Sequence, residues 1–109
     1  MREQLIETGR KALSQCMGLL RSDTLLIVTD EPCYEVGAAF LAAGQQLCRE
    51  TTLVQITPRR QHGSEPPAPV GHWFEQSDVA LMPTSTSLSH TRARRRACEK
   101  GGRIATLPG

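Results

Sequence analysis

Aromatic residues are scarce in this chain: two Phe, one Trp and one Tyr make up 4% of its 109 residues. A folded core built from it must therefore be aliphatic and rich in alanine. No apolar run approaches the roughly 20 residues that a helix needs to cross a bilayer. The N-terminus has no apolar secretory segment. We therefore expect a cytoplasmic protein that has no membrane partner.

The sequence also has no closely spaced pair of cysteines, and it has few lysines. The four cysteines, Cys16, Cys33, Cys48 and Cys98, form no CxxC pair, which argues against a zinc site or a thioredoxin-type redox site. We expect reduced and buried thiols instead. Lysine is outnumbered by arginine, two against eleven, and the net charge is only +2, too small to imply a polyanionic partner. The length favours a single domain over residues 1–109.

Helical and strand patterns alternate along what remains. A first helix is predicted from about Glu3 to Met17 and ends at Gly18. Apolar runs predict strands, and apolar residues at helical spacing predict the helices between them. The predicted strands are 24–29, 51–57, 79–82 and 103–107, and the later helices are 32–47, 68–76 and 91–100. This order predicts an α/β fold, a three-layer, doubly wound, four-stranded parallel sheet of order 2-1-3-4, Rossmann/flavodoxin-like.

Details of these elements are predicted as well. Asp30 or Glu31 is expected near the cap of the second helix, and the third helix is expected to bury Val70, Trp73 and Phe74. The fourth strand has no helix after it in the sequence. The first helix, a partner chain or the rest of a longer protein would each cover the sheet there.

Strand order 2-1-3-4 creates a topological switch point between the first and third strands, where ligands bind in such sheets. The loops at that edge are rich in hydroxyl, basic and acidic groups. Hydroxyls, free helix N–H groups and arginine favour a phosphate or carboxylate ligand, although a hydroxyl that merely caps the helix explains part of the pattern. The loop has no glycine and is not a P-loop or a dinucleotide fingerprint. No catalytic residue and no metal ligand is assigned. The candidate substrate- or anion-binding residues are Asp30, Glu31, Arg59, Arg60, His62, Thr84, Ser85, Ser87, His90, Thr91 and Arg92.

The arginine run of the last helix suggests a second kind of partner, nucleic acid. On a helix Arg92, Arg95 and Arg96 share a face with Glu99, which offsets part of the charge. Stacking aromatic residues are absent around them. A solvated helix face therefore explains the run better than a nucleic-acid module does.

Three stretches together resemble a known family. They are Leu26-Ile27-Val28-Thr29-Asp30-Glu31-Pro32, the loop from Pro58 to Pro67, and Pro83-Thr84-Ser85-Thr86-Ser87-Leu88-Ser89-His90-Thr91-Arg92-Ala93-Arg94. They resemble the amino-terminal region of the aminopeptidase T family, which are leucyl-aminopeptidase-like, thermophilic metallo-aminopeptidases. The iron-dependent dihydroxypyridine dioxygenases look similar to this family in fold.

The resemblance implies a role and a set of partners. Family members are longer and dimeric, and hold a divalent metal with Glu, His and Asp of a carboxy-terminal domain, so no metal ligand is carried over to this chain. It implies a non-catalytic amino-terminal domain, without peptidase activity alone, that helps shape the substrate cleft and contacts a second subunit and the carboxy-terminal domain. The alternative is a free-standing anion- or nucleotide-binding module that uses the crevice between Asp30 and Thr84–Arg92.

Overall fold

The computed structural model describes residues 2–59, 65–85 and 92–106. Helices and strands alternate, as the sequence predicts. The helices are α1 (Arg2–Lys11), α2 (Tyr34–Leu47), α3 (Ala68–Gln76) and α4 (Arg92–Glu99); a π-helical turn, Ala12–Cys16, follows α1, and a 3-10 turn, Glu31–Cys33, precedes α2. The strands are β1 (Thr24–Asp30), β2 (Glu50–Ile56), β3 (Val79–Met82) and β4 (Arg103–Thr106).

The four strands form one parallel sheet of order β2-β1-β3-β4, which confirms the predicted fold class. β1 lies in the centre between β2 and β3, and six of its seven residues are buried. Such a strand is apolar on both of its faces because helices cover both sides of the sheet. The connections that leave β1 and β3 run in opposite directions, so the switch point lies between these two strands.

The side chains of the sheet alternate between two aliphatic cores. On one face Leu26, Val28 and Met82 pack with Val70 and Phe74 of α3. On the other face Leu25, Ile27 and Leu81 pack against α2, through Phe40 and Ala43, and against Leu13. Helices thus lie on both sides of the sheet, and the scarcity of aromatic residues is met by aliphatic packing.

Several local predictions are corrected by the structure. The first helix keeps α-helical form only to Lys11 and continues as the π-helical turn, but Gly18 does end the segment in the left-handed conformation that glycine tolerates, at φ +62°. Trp73 was expected to be buried and is 46% exposed. Val70 and Phe74 are four residues apart and occupy the inward face of α3, which leaves Trp73 on its flank.

The expectation of buried thiols holds for half of the cysteines. Cys33 and Cys48 are buried, whereas Cys16 and Cys98 are exposed. Position on a helix explains the difference, because Cys16 lies in the π-helical turn and Cys98 near the end of α4, on faces turned away from the sheet. Within the described ranges of the chain, no helix is both long enough and apolar enough to cross a membrane.

Candidate functional site

The candidate site lies at the switch point, where the last residue of β1 meets the segment that follows β3. Asp30 ends β1, and Ser85 comes three residues after Met82, the last residue of β3. Because β1 and β3 are parallel neighbours, their carboxyl ends reach the same edge of the sheet. The topology therefore predicts that the two segments meet there, and the structure confirms it.

Asp30 and Ser85 are directly hydrogen-bonded across the switch point. The backbone N–H of Ser85 donates to Oδ2 of Asp30 at 2.9 Å, and its hydroxyl donates to the same oxygen at 2.6 Å. Hydrogen bonds to a charged acceptor each contribute about 1.5–3 kcal/mol. The Asp30 side chain thus ties the β3–α4 loop to β1. Asp30 also occupies the N-cap position of the 3-10 turn that follows, where the sequence predicts Asp30 or Glu31, although its side chain makes no capping hydrogen bond there.

A second bridge runs one residue deeper in the same crevice. Thr29 is fully buried, and its hydroxyl donates to the carbonyl oxygen of Pro83 at 2.9 Å. Thr84, which follows Pro83, is 1% exposed, and its backbone N–H donates to the carbonyl of Met82 at 3.0 Å. Residues 83–85 are therefore held against the end of β1 by side chains of β1 itself, and the floor of the crevice is fixed.

One atom of this cluster has no partner within the described part of the chain. Asp30 is 1% exposed, both hydrogen bonds from Ser85 go to Oδ2, and the buried Oδ1 accepts none. A buried polar atom without a hydrogen bond is uncommon and costly. The unsatisfied oxygen is therefore the feature of this site that most needs an explanation.

The Cys33 thiol lies beside the same carboxylate. Burial raises the pKa of the Cys33 thiol above its ordinary value, and the negative charge and hydrogen bonding of Asp30 raise it further. Cys33 is close to Asp30 because it lies in the 3-10 turn that directly follows β1. The Asp30 carboxylate therefore acts on the Cys33 thiol. The thiol is kept protonated and unreactive, which argues against a nucleophilic role.

The charge at the crevice bears on the predicted anion ligand. In the parts of the chain that are described, the buried charge at the switch point is the Asp30 carboxylate, and no lysine or arginine of these parts pairs with it. A buried negative charge repels phosphate and carboxylate. Several basic and hydroxyl candidates for anion binding lie outside the described residues, so the anion-binding role of this edge stays a prediction.

The other candidate residues have mixed placements. Thr84 and Ser85 lie in the crevice, Glu31 is exposed after β1, and Arg59 is half-buried beyond β2. Arg92 begins α4 and is engaged elsewhere: its backbone N–H donates to Glu65 Oε2 at 2.7 Å, and its Nε lies 3.9 Å from the same oxygen. The predicted site residues Arg60, His62, Ser87, His90 and Thr91 lie outside the described residues.

A second concavity, the charged groove, lies between α3 and α4. It has a volume of about 270 Å³ and is lined by Glu65, His72, Glu75, Arg92 and Arg96 among others. Its carboxylates already have partners, because Glu65 accepts from Arg92 and Glu75 lies 3.3 Å from Nζ of Lys100. Both carboxylates of the groove are thus already paired with basic side chains.

The sequence pattern missed three residues that shape these sites: Thr29, Cys33 and Glu65. The sequence does indicate a role for Thr29, since a hydroxyl residue at the end of an otherwise apolar strand needs a buried hydrogen-bond partner. Nothing in the sequence indicates the roles of Cys33 and Glu65, because those roles depend on distances between loops. Within the described ranges, no group of three or more His, Cys, Asp and Glu side chains is arranged to hold a metal ion.

Comparisons with known proteins give a fold but no family. The sequence matches no protein-family model and no curated protein. Among solved structures, the chain is similar to 2,5-dihydroxypyridine dioxygenase from Pseudomonas putida KT2440, with a TM-score of 0.82 at 12% identity over 99% of this chain and 35% of that chain. A structure described as an NADPH:quinone reductase from Bacillus thuringiensis has a TM-score of 0.47 at 12% identity, over 94% of this chain and 42% of that one. The chain thus has the α/β fold of one part of the dioxygenase and spans about a third of that enzyme's length.

Proposed function

We propose that this chain is a non-catalytic α/β domain of an aminopeptidase-T-like metalloenzyme, in which it forms one wall of the substrate cleft and contributes to subunit contacts. The observation that carries the proposal is the likeness of 99% of the chain to 35% of a larger enzyme, the dioxygenase. That enzyme belongs to the fold group that the sequence resemblance brings together with aminopeptidase T. The divalent metal of such an enzyme would be held by residues outside this chain.

The switch-point crevice supports the role of a cleft wall. Asp30 and Ser85 present a fixed polar cluster at the carboxyl edge of the sheet, which is the edge at which α/β proteins bind ligands. The Thr29–Pro83 bridge fixes this edge through a hydrogen bond within the chain itself. Pre-organised contacts of this kind position a substrate at little entropic cost.

Metal and hydrolysis measurements test the proposal. The purified chain is dialysed against Zn²⁺ or Co²⁺, its bound metal is counted by plasma mass spectrometry, and hydrolysis of an aminoacyl p-nitroanilide is followed. We expect no stoichiometric metal and no hydrolysis by the chain alone. Stoichiometric metal accompanied by hydrolysis would contradict the proposal.

The gene provides a complementary test. We expect the reading frame to continue beyond codon 109 into a region that encodes Glu, His and Asp ligands, and the longer product to hydrolyse the p-nitroanilide with a divalent metal. In that product Ser85→Ala should raise KM more than it lowers kcat, because Ser85 belongs to a wall that binds substrate. A longer product whose kinetics are unchanged by Ser85→Ala would remove this domain from the cleft.

A further inference from the structure

The unpartnered Oδ1 of Asp30 is the starting point for a statement about ligand class. Asp30 is 1% exposed, and its Oδ2 is already occupied by the amide and hydroxyl of Ser85, at 2.9 and 2.6 Å. Oδ1 has no hydrogen-bond partner among the described residues. Within the described residues, this buried carboxylate therefore lacks a hydrogen bond at one oxygen and has no basic side chain paired with it, and both deficits are costly for a buried charge.

From this we infer that Asp30 Oδ1 is the anchoring acceptor for the protonated nitrogen of a small organic cation bound in the switch-point crevice. The inference rests on the proposed function, because the same crevice is the wall that the domain contributes to a cleft, and it adds the chemical class of the ligand. An ammonium group supplies both missing quantities, a donated hydrogen bond and a positive charge. A carboxylate or phosphate supplies neither.

The neighbours of Asp30 agree with this assignment. The pKa of the Cys33 thiol is raised beside the carboxylate, so the thiol adds no second negative charge there. Ser85, the residue bonded to Asp30, is itself partly exposed. The charged groove between α3 and α4 is a weaker candidate, because its carboxylates are already paired with Arg92 and Lys100.

The test uses the full chain and two probes of equal length and opposite charge, n-butylammonium and butyrate. The Ser85 backbone amide reports binding in ¹H–¹⁵N NMR spectra, because it is hydrogen-bonded to the Asp30 carboxylate. We expect n-butylammonium to shift this amide saturably and butyrate to leave it unchanged. Saturable butyrate binding at this amide, or no saturable shift with n-butylammonium, would overturn the inference.

Variants locate the acceptor atom. Asp30→Asn keeps an oxygen for Ser85 but replaces Oδ1 by an NH₂ donor, and should weaken n-butylammonium binding at least tenfold. Glu35→Gln, which removes an exposed carboxylate of α2, should leave the affinity for n-butylammonium unchanged. Ser85→Ala removes a hydroxyl of the wall but retains the carboxylate, so it should lower the affinity for n-butylammonium without abolishing saturable binding, which keeps the test decisive if Asp30→Asn fails to fold. Equal affinity in Asp30→Asn, or loss of binding in Ser85→Ala, would refute the assignment.

A metal arm separates an organic cation from an inorganic one. Mg²⁺ added to the n-butylammonium complex should not reverse the Ser85 shift. Displacement of the amine by Mg²⁺ at equal concentration would overturn the stated ligand class. These outcomes are independent of the hydrolysis test: a chain that binds the amine and also hydrolyses peptides with its own metal would refute only the proposed function, and one that does neither would refute only this inference.

Discussion

Asp30 has three roles: it ends a buried strand, it binds the loop after β3, and it carries a carboxylate whose Oδ1 has no hydrogen-bond partner among the described residues. The sequence placed Asp30 at the switch point correctly, because its position depends only on strand order. The pairing with Ser85 was not predictable, since several hydroxyls follow β3 and only the loop geometry selects one. The same limit applies to Cys33, whose proximity to the carboxylate depends on the 3-10 turn.

The reactivity of Cys33 tests the electrostatics at this scale. Its thiol pKa is raised above the ordinary 9.0, first by burial and then by Asp30, so the thiolate fraction of Cys33 stays low until the pH exceeds 9.0. Asp30→Asn removes the negative charge beside Cys33 but leaves the thiol buried. We expect the pH midpoint of Cys33 alkylation by iodoacetamide, followed by mass spectrometry, to fall partway toward the ordinary value.

Two references make this measurement specific. Glu31→Gln removes an exposed carboxylate and should not move the midpoint. Cys48 is also buried and reports any general loosening of the fold, because it would then react faster together with Cys33. A midpoint unchanged by Asp30→Asn would mean that the carboxylate has no influence on the thiol.

At the scale of elements, the predicted strands and helices are nearly all present, with ends that shift by one to a few residues. Periodicity determines these elements because each buries one continuous apolar face. The exceptions are local: the π-helical turn after α1 and the exposed Trp73. Both depend on how an element packs against its neighbours, which a pattern of apolar residues does not specify.

The packing of α2 on β1 leads to a prediction about Gly37. A Cβ at Gly37 would lie 2.9 Å from Cβ of Thr29, and Thr29 cannot rotate away without losing its hydrogen bond to Pro83. Alanine improves helix propensity by about 1 kcal/mol, but overpacking costs about 1–3 kcal/mol and often more against a fixed side chain. We expect Gly37→Ala to lower the free energy of unfolding by about 1–2 kcal/mol in urea denaturation.

The control for Gly37→Ala is Gln45→Ala, an exposed position of the same helix. It should change stability by less than about 0.5 kcal/mol. A Gly37→Ala protein as stable as the parent chain would mean that α2 can move away from β1 at little cost.

The start of α4 yields a second prediction at this scale. The Glu65 carboxylate accepts from the first N–H of α4 at 2.7 Å and lies at the positive end of the helix dipole. Capping interactions of this kind contribute about 0.5–2 kcal/mol. Glu65→Ala should therefore reduce the free energy of unfolding by about 1 kcal/mol, measured by thermal or urea denaturation.

The opposite end of α4 supplies the matched control. Glu99 is the last residue of the helix and is exposed, and a negative charge is unfavourable there. Glu99→Ala should leave stability unchanged or raise it slightly. Equal losses from Glu65→Ala and Glu99→Ala would show that the 65–92 contact contributes nothing specific.

At the scale of the whole molecule, strand order was the most predictable property, because parallel crossovers of one hand leave few arrangements. What covers the sheet beside β4 was left open, and the structure answers in part: Ala105 packs with the core that Leu13 belongs to. The π-helical turn and the segment after it thus approach β4 from the other end of the chain. No periodicity in the sequence indicates this contact.

Arg103 is the residue that fastens these distant parts together. Its Nη1 donates to the carbonyl oxygens of Gly18 at 2.7 Å and Met17 at 3.2 Å, and its Nη2 pairs with Oδ2 of Asp23. Asp23, which is 7% exposed, also accepts from the backbone N–H of Leu20. One guanidinium therefore closes a contact between segments about 85 residues apart in sequence.

Removal of this guanidinium should be costly because it leaves a buried carboxylate and two carbonyl groups without their donor. The loss for a fully buried pair is about 3–5 kcal/mol; the Arg103 side chain is 39% exposed, so solvent screening reduces the expected loss from Arg103→Ala to about 2–3 kcal/mol. The stability of Arg103→Lys should lie between those of the parent chain and Arg103→Ala, since the lysine ammonium cannot reproduce the two-pronged set of guanidinium donors. Arg95→Ala, at an exposed position of α4, serves as the control and should be near neutral.

A double-mutant cycle in urea denaturation separates the ion pair from the carbonyl contacts. If Arg103 acts through Asp23, Asp23→Asn should cost much less in the Arg103→Ala background than in the parent chain. Strict additivity would instead assign the effect of Arg103 to Met17 and Gly18 alone. Either result would still mean that contacts between β4 and the segment after α1 stabilise the fold. If Arg103→Ala leaves the free energy of unfolding unchanged, the pairing of β4 in the sheet is stable without these contacts.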